Sequence, residues 1–295
     1  MTYAEGMLEA QEIHASFARE EDAASFWTEG APDVPVRDLT CAGGAGQLQA
    51  VRFYRGILPA PTPVILYIHG GGWVGGSIEV NEPAVRALVA QSGWSAVSIS
   101  YRLAPANPYP AGLEDCRAAL HWLQADAPEL GIDRRRIAIA GASAGANLAA
   151  AAALAEPSGT LSGLVLFYGL FGADLDTPSY RAFGAGPVLT RARVSEIFEL
   201  YDPGNRRKCD PLITPLSANS LADLPPALVI AAELDPLADD SRRFADRLSA
   251  EGVATQFAQI KGVTHGFINR GRLVPAARET LSRAARFLVS LERAS

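Results

Sequence analysis

Cysteine, histidine and clustered positive charge are what this 295-residue chain is short of. Its three cysteines, Cys41, Cys116 and Cys209, are odd in number, far apart and without metal-ligand spacing, which excludes a disulfide framework and fits a reducing compartment. Four histidines with no Cys/His cluster leave a zinc site without ligands, and no metal or other cofactor is expected. Lys and Arg total 26 against 32 Asp and Glu, a net charge of −6, so nucleic acid, whose binding relies on clustered cations, is not expected as a partner. The main basic cluster, Arg134-Arg135-Arg136, reads as a solvated loop just before a strand. No uninterrupted apolar run approaches the ~20 residues that span a bilayer. Residues 1–20 carry Glu5, Glu9, Glu12 and Glu20 where a secretory signal has an apolar core. A cytoplasmic protein is the expectation.

What the chain does have is alternation. Hydrophobic residues make up 48% and charged residues 20%, an ordinary balance for a soluble globular enzyme. The runs 64–68, 96–99, 137–140, 164–167 and 227–230 are apolar or small at nearly every position, as strands covered on both faces must be. Helical spacing lies between most of them, for example Leu113, Cys116, Leu120 and Leu123, or Leu237, Ser241, Phe244 and Leu248 ahead of Gly252. Strands alternating with helices predict right-handed βαβ crossovers and an α/β, doubly wound, mostly parallel sheet. Residues 36–41 and 48–54, around the turn Gly43-Gly44-Ala45-Gly46, predict an opening hairpin. A last strand over 254–260 and a helix through Leu281, Ala284, Leu288 and Leu291 complete the pattern.

Two stretches depart from it. Residues 1–35 form an arm with Tyr3, Met7, Ala10, His14 and Phe17 at helical spacing, ended by Pro32 and Pro35. Residues 169–225 are rich in Gly and Pro around a helical piece at Val194, Ile197, Phe198 and Tyr201, too long an insertion for a plain loop and of the kind that forms a lid. The expected division is therefore an arm at 1–35, a core at 36–168, a cap insertion at 169–225 and the rest of the core at 226–295.

The chemistry centres on Gly141-Ala142-Ser143-Ala144-Gly145, set between an apolar strand and an alanine-rich helix. A serine on such a sharp, strained turn needs small neighbours, and the helix that starts beside it aims free N–H groups and its positive dipole end at any oxyanion formed there. The same five residues also suit a small-residue turn that packs a helix on a sheet. His69-Gly70-Gly71-Gly72-Trp73 follows the strand at 64–68, and glycines let the backbone approach a reacting carbonyl with its amides. Gly71 and Gly72, with Ala144, are the expected oxyanion hole; a phosphate-cradling loop is the alternative, but no Gly-Lys-Ser/Thr follows. A serine hydroxyl needs a base, for which His265 in Val263-Thr264-His265-Gly266-Phe267 is placed, whereas His121 reads as structural and His69 as a brace for the glycine loop. Asp235, just past the strand at 227–230, is the carboxylate chosen to orient the imidazole, in competition with Glu233, Asp239 and Asp240. The order Ser, Asp, His is that of the α/β-hydrolases.

Together these motifs resemble the hormone-sensitive-lipase family, the bacterial type IV esterases of the α/β-hydrolase fold. The resemblance rests on residues 69–73, on Tyr101-Arg102-Leu103-Ala104-Pro105 with Pro110-Ala111 and Glu114-Asp115, on residues 141–145 with Asn147-Leu148, on Asp235-Pro236-Leu237 and on His265-Gly266-Phe267. It implies a helical cap built from the arm and the insertion, and hydrolysis of carboxylic esters without a cofactor. One position departs: the family has Asp, or Thr in a subgroup, where this chain has Ala142, so the facing loop must be held in another way. Short- to medium-chain acyl esters are the expected substrates, with Phe17, Trp27, Trp73, Phe183, Phe198 and Tyr201 as pocket residues that also suit core packing. An amidase or formamidase would use the same triad, and a non-catalytic small-molecule receptor is a further reading of the same fold. A homodimer through the last strand and helix is compatible with the sequence.

Overall fold

The computed structural model describes residue 19, residues 22–125 and residues 127–292. Eight strands build one sheet: β1 (Val36–Ala42), β2 (Leu48–Tyr54), β3 (Thr62–Ile68), β4 (Ser95–Ile99), β5 (Ile132–Ala142), β6 (Gly163–Phe167), β7 (Ala227–Leu234) and β8 (Thr255–Thr264). Their order across the sheet is β1-β2-β4-β3-β5-β6-β7-β8. The hairpin β1–β2 and its junction with β4 are antiparallel, and every pairing from β4 to β8 is parallel.

Parallel strands need helical crossovers, which cover both faces. Along β3 every residue is buried, and successive side chains enter different cores: Val64, Leu66 and Ile68 on one side, Ile65 and Tyr67 on the other. The helices are α1 (Ala24–Thr28), α2 (Ile78–Ser92), α3 (Ala111–Ala125), α4 (Ala144–Leu154), α5 (Pro178–Phe183), α6 (Arg191–Tyr201), α7 (Ala238–Ala250) and α8 (Pro275–Leu291). Leu120 of α3, Leu148 of α4 and Phe244 of α7 share the first core; Leu88 of α2 and Leu288 of α8 share the second. α4 is buried on nearly all sides, which is why it carries alanines where a surface helix would alternate with polar residues. Among the described residues no helix is long and apolar enough to cross a membrane.

The structure departs from the expected pattern in two places. Arg134, Arg135 and Arg136 lie within β5, not in a loop before it; the strand begins at Ile132, its pairing to β3 shifts register between Thr62 and Val64, and the triplet sits at this irregular, solvent-facing end. Helix α2 has no clean apolar stripe in sequence, because Pro83 interrupts it and Asn81 and Glu82 are buried beside its apolar residues. Glu82 is matched there by Arg52 at 2.9 Å and by Arg86.

The insertion at 169–225 holds α5 and α6, each begun by a threonine: Thr177 accepts the Tyr180 amide at 3.5 Å and Thr190 the Arg193 amide at 3.0 Å. α6 buries Val194, Ile197, Phe198 and Tyr201, the stripe predicted for it. Of the arm, α1 is described, while Tyr3, Met7, Ala10, His14 and Phe17 lie outside the described residues. Arg272 stacks its guanidinium 4.1 Å from the Phe26 ring and so anchors α1 to the segment that follows β8.

Candidate active site

β5 ends at Ala142 and α4 starts at Ala144, so the whole reversal falls on Ser143. Its backbone sits at φ 57° and ψ −120°, a left-handed conformation that side chains rarely adopt. Two glycines permit it: a Cβ on Gly141 would strike the Gly145 carbonyl, and one on Gly145 would strike the carbonyl of Ile68. The turn is held by the Ser143 amide, which donates to Phe167 O at 2.9 Å, and by the Ser143 carbonyl, which accepts from Asn147 at 3.1 Å. The first amides of a helix have no partner within it, so Ala144 N–H opens α4 as a free donor beside the serine hydroxyl.

The loop 69–73 leaves the end of β3 next to this elbow. Gly71 and Gly72 both take positive φ, 126° and 62°. His69 is buried, and burial lowers its imidazole pKa to about 4. The neutral ring donates from Nδ1 to Gly70 O at 2.8 Å and stacks on Tyr101 at 4.3 Å, while the Tyr101 hydroxyl donates to His69 O at 3.2 Å. The loop is thus held by His69 and Tyr101, and Gly70 packs directly against the Ala142 carbonyl. Tyr101 belongs to a segment pinned in turn by Asp115, which accepts the Arg102 amide at 2.8 Å and its Nε at 2.9 Å.

His265 is the first residue after β8, and Asp235 the first after β7. The parallel register of these two strands brings the side chains together: His265 Nδ1 lies 2.7 Å from Asp235 Oδ2, and Nε2 lies 2.9 Å from Ser143 Oγ. Because a buried carboxylate can only accept, Nδ1 carries the proton and Nε2 presents its lone pair to the serine hydroxyl. Asp235 is fully buried, and its other oxygen accepts the Leu237 amide at 3.0 Å. The rival carboxylates are engaged elsewhere. Glu233 accepts Gly262 N at 2.8 Å, Asp239 accepts Ser179 N at 2.8 Å, and Asp240 accepts the Phe171 and Gly172 amides, both at 2.9 Å. His121 is exposed and contacts Glu156, in keeping with a structural role.

Ser143, His265, Gly71 and Gly72 open into one cavity of about 720 Å³. Of the aromatic residues expected there, Trp27 lines it. Trp73, Phe198 and Tyr201 do not: Trp73 stacks on Tyr201 at 4.3 Å and tilts against Phe198 at 5.4 Å, and all three are buried in the joint between the glycine loop and α6. Phe183 is half-buried outside the lining, and Phe17 lies outside the described residues. The apolar lining comes instead from Val80, Tyr168, Val188, Leu189 and Ile197, and three arginines, Arg19, Arg193 and Arg270, complete the wall. Ile197 carried a sequence signal as part of the α6 stripe; the others stand on turns and helix starts where no periodicity marks them.

Known proteins share this arrangement of chain. Residues 65–269 match the family described as alpha/beta hydrolase fold. Carboxylesterase NlhH of Mycobacterium tuberculosis is 39% identical over 239 residues, covering 79% of this chain and 74% of that protein. Ethyl acetate hydrolase of Pseudomonas putida is 33% identical over 287 residues, covering 93% and 88%. Among solved structures, the hyperthermophilic esterase of the archaeon Pyrobaculum calidifontis superposes with a TM-score of 0.89 at 31% identity, covering 99% of both chains.

Proposed function

The chain belongs to the hormone-sensitive-lipase family of α/β-hydrolase esterases, and we propose that this carboxylesterase works through Ser143 as nucleophile, His265 as base and Asp235 as orienting carboxylate. The observation that carries the reading is the unbroken hydrogen-bonded series from Asp235 through His265 to Ser143, at 2.7 and 2.9 Å. Ser143 Oγ attacks the ester carbonyl as its proton passes to His265 Nε2, and Asp235 stabilises the imidazolium that forms. The Gly71, Gly72 and Ala144 amides receive the developing oxyanion. His265 then protonates the leaving alcohol, and water, activated by the same imidazole, releases the acid from the acyl-enzyme.

The arm at 1–35 and the insertion at 169–225 act as a cap on the core formed by 36–168 and 226–295. In support, Trp27 from the arm and Val188, Leu189 and Ile197 from the insertion line the cavity above Ser143. That cavity size suits short- to medium-chain acyl groups. A cytoplasmic location, and pairing of two copies through β8 and α8, belong to the same reading; β8 is the outermost strand at its end of the sheet.

The test is a panel of acetyl, butyryl, hexanoyl and lauryl 4-nitrophenyl esters with a matched amide, run on wild type and Ser143→Ala together. Turnover of the shorter esters that vanishes in the variant is expected. A fully active variant would remove the nucleophile from the mechanism, and a maximum on the lauryl ester would remove the chain-length assignment.

A further inference from the structure

The protein carries a net charge of −6, yet among the described residues the charged side chains lining the cavity at Ser143 are all positive. Arg19, Arg193 and Arg270 line it, and among the described residues no Asp or Glu does. Asp235, the nearest carboxylate to the reacting groups, is fully buried behind His265. Arg193 and Arg270 come from different elements. Arg193 is on the first turn of α6, where Glu196 faces it at 3.8 Å, and Arg270 ends the short turn that follows His265, with its guanidinium 5.6 Å from the Trp27 ring. Burial holds the Tyr168 hydroxyl well above the ordinary phenol value while Arg270 acts in the opposite sense, so the field of that guanidinium reaches the cavity wall beside His265. The Tyr168 and His265 ring centres are 4.8 Å apart.

A neutral alkyl ester meets the apolar part of the wall but offers the guanidiniums no acceptor of matching charge, and guanidiniums are costly to cover with an uncharged substrate. A guanidinium fork matches a carboxylate with two parallel hydrogen bonds, and a cleft lined by one sign of charge concentrates ligands of the other sign. We infer that the preferred substrates are esters bearing a second, anionic group, most simply a carboxylate, which is held by Arg193 and Arg270 while the ester carbonyl reacts at Ser143. The inference rests on the hydrolase reading above and adds a charge requirement to it. Arg19, within the arm, adds to the same field. The rival role for Arg270 is to anchor Trp27, and for Arg193 to pair with Glu196; neither would discriminate between charged and neutral esters.

The experiment compares matched esters that differ only in that charge. Monoethyl adipate against ethyl hexanoate places the carboxylate on the acyl side, and 6-acetoxyhexanoate against hexyl acetate places it on the alcohol side. In wild type at low salt, kcat/KM for the anionic member of at least one pair is expected to exceed that of its neutral partner by about tenfold, an advantage that shrinks as salt is added. Arg193→Gln and Arg270→Gln each lower the anionic-to-neutral ratio, and Arg193→Lys and Arg270→Lys retain part of it. Because the ratio is taken within one protein, a loss of folded enzyme cancels. A wild type that hydrolyses 4-nitrophenyl acetate but prefers the neutral member of both pairs overturns the inference and leaves the hydrolase reading intact, as does a ratio unmoved by both glutamine variants. Absence of turnover on every ester, 4-nitrophenyl acetate included, overturns both.

Discussion

At the floor of the cavity lies Ser143, held at a positive φ, and the glycines two residues to either side of it, Gly141 and Gly145, are bounded by backbone: the carbonyls of Gly145 and Ile68 leave no space for a Cβ. At the roof, Val188 and Leu189 sit on a turn, Val188 exposed to solvent and Leu189 half-buried. The floor therefore tolerates almost no change and announces itself in sequence by its small residues. The roof tolerates many, and the same freedom leaves it without a signature.

Substitutions can break or sharpen this contrast. Ser143→Ala should lower kcat by about 10⁶-fold, measured on a short 4-nitrophenyl ester, because the nucleophile acts as a unit with its base. Asp235→Asn should cost about 10⁴-fold by disfavouring the tautomer that exposes the Nε2 lone pair, with the fold retained. Near-normal turnover in that variant would mean that a different carboxylate serves His265. Gly145→Ala should destabilise by roughly 3 kcal/mol or more in urea unfolding, since the methyl group meets a carbonyl in the sheet and not a flexible side chain. At the roof, Leu189→Ala should alter the butyryl-to-hexanoyl ratio of kcat/KM by no more than about tenfold, with stability nearly unchanged. A large loss of stability there would place the roof under the same constraint as the floor.

The smallest expected effect lies where roof and core meet. Asp240 on α7 accepts the Phe171 and Gly172 amides and so ties the start of the insertion to the core. Burial raises its carboxyl pKa from 3.8 to about 6. The folded chain thus holds that proton more tightly, a stabilisation complete below pH 3.8 and lost as pH rises through about 6. His69 runs the other way: burial lowers it from 6.5 to about 4, so its contribution is intact above pH 6.5 and is lost as pH falls through about 4. The two slopes oppose each other between these values. Asp240→Asn removes one of them, and thermal unfolding of the variant should show stability rising with pH across this range more steeply than in wild type. An unchanged slope would show that Asp240 titrates alike in the folded and unfolded chain.

Much of the scaffold was legible because burial on both faces leaves a strand little choice: β3, β4 and β6 are buried throughout. Helix α2 was not, since its buried Glu82 is matched by Arg52, a partner on β2 that no local pattern reveals. In the site, the elbow, the glycine loop, Asp235 and His265 were each read from local context. The aromatic residues were left between pocket and core, and of them Trp27 lines the cavity. Trp73, Phe198 and Tyr201 looked like pocket residues, but stacking on one another satisfies them inside the core.

By itself the sequence determined the alternation of strands and helices, the sharp reversal at Ser143 and the short set of side chains from which the proposed triad is drawn, because backbone sterics and ionisation chemistry act over a few residues. Only the tertiary structure decided which carboxylate reaches His265, which aromatic rings are core, and that three arginines far apart in the chain line one cavity. Those outcomes depend on strand register and helix packing between distant segments, and the energies that set them belong to pairs of surfaces that no local pattern contains.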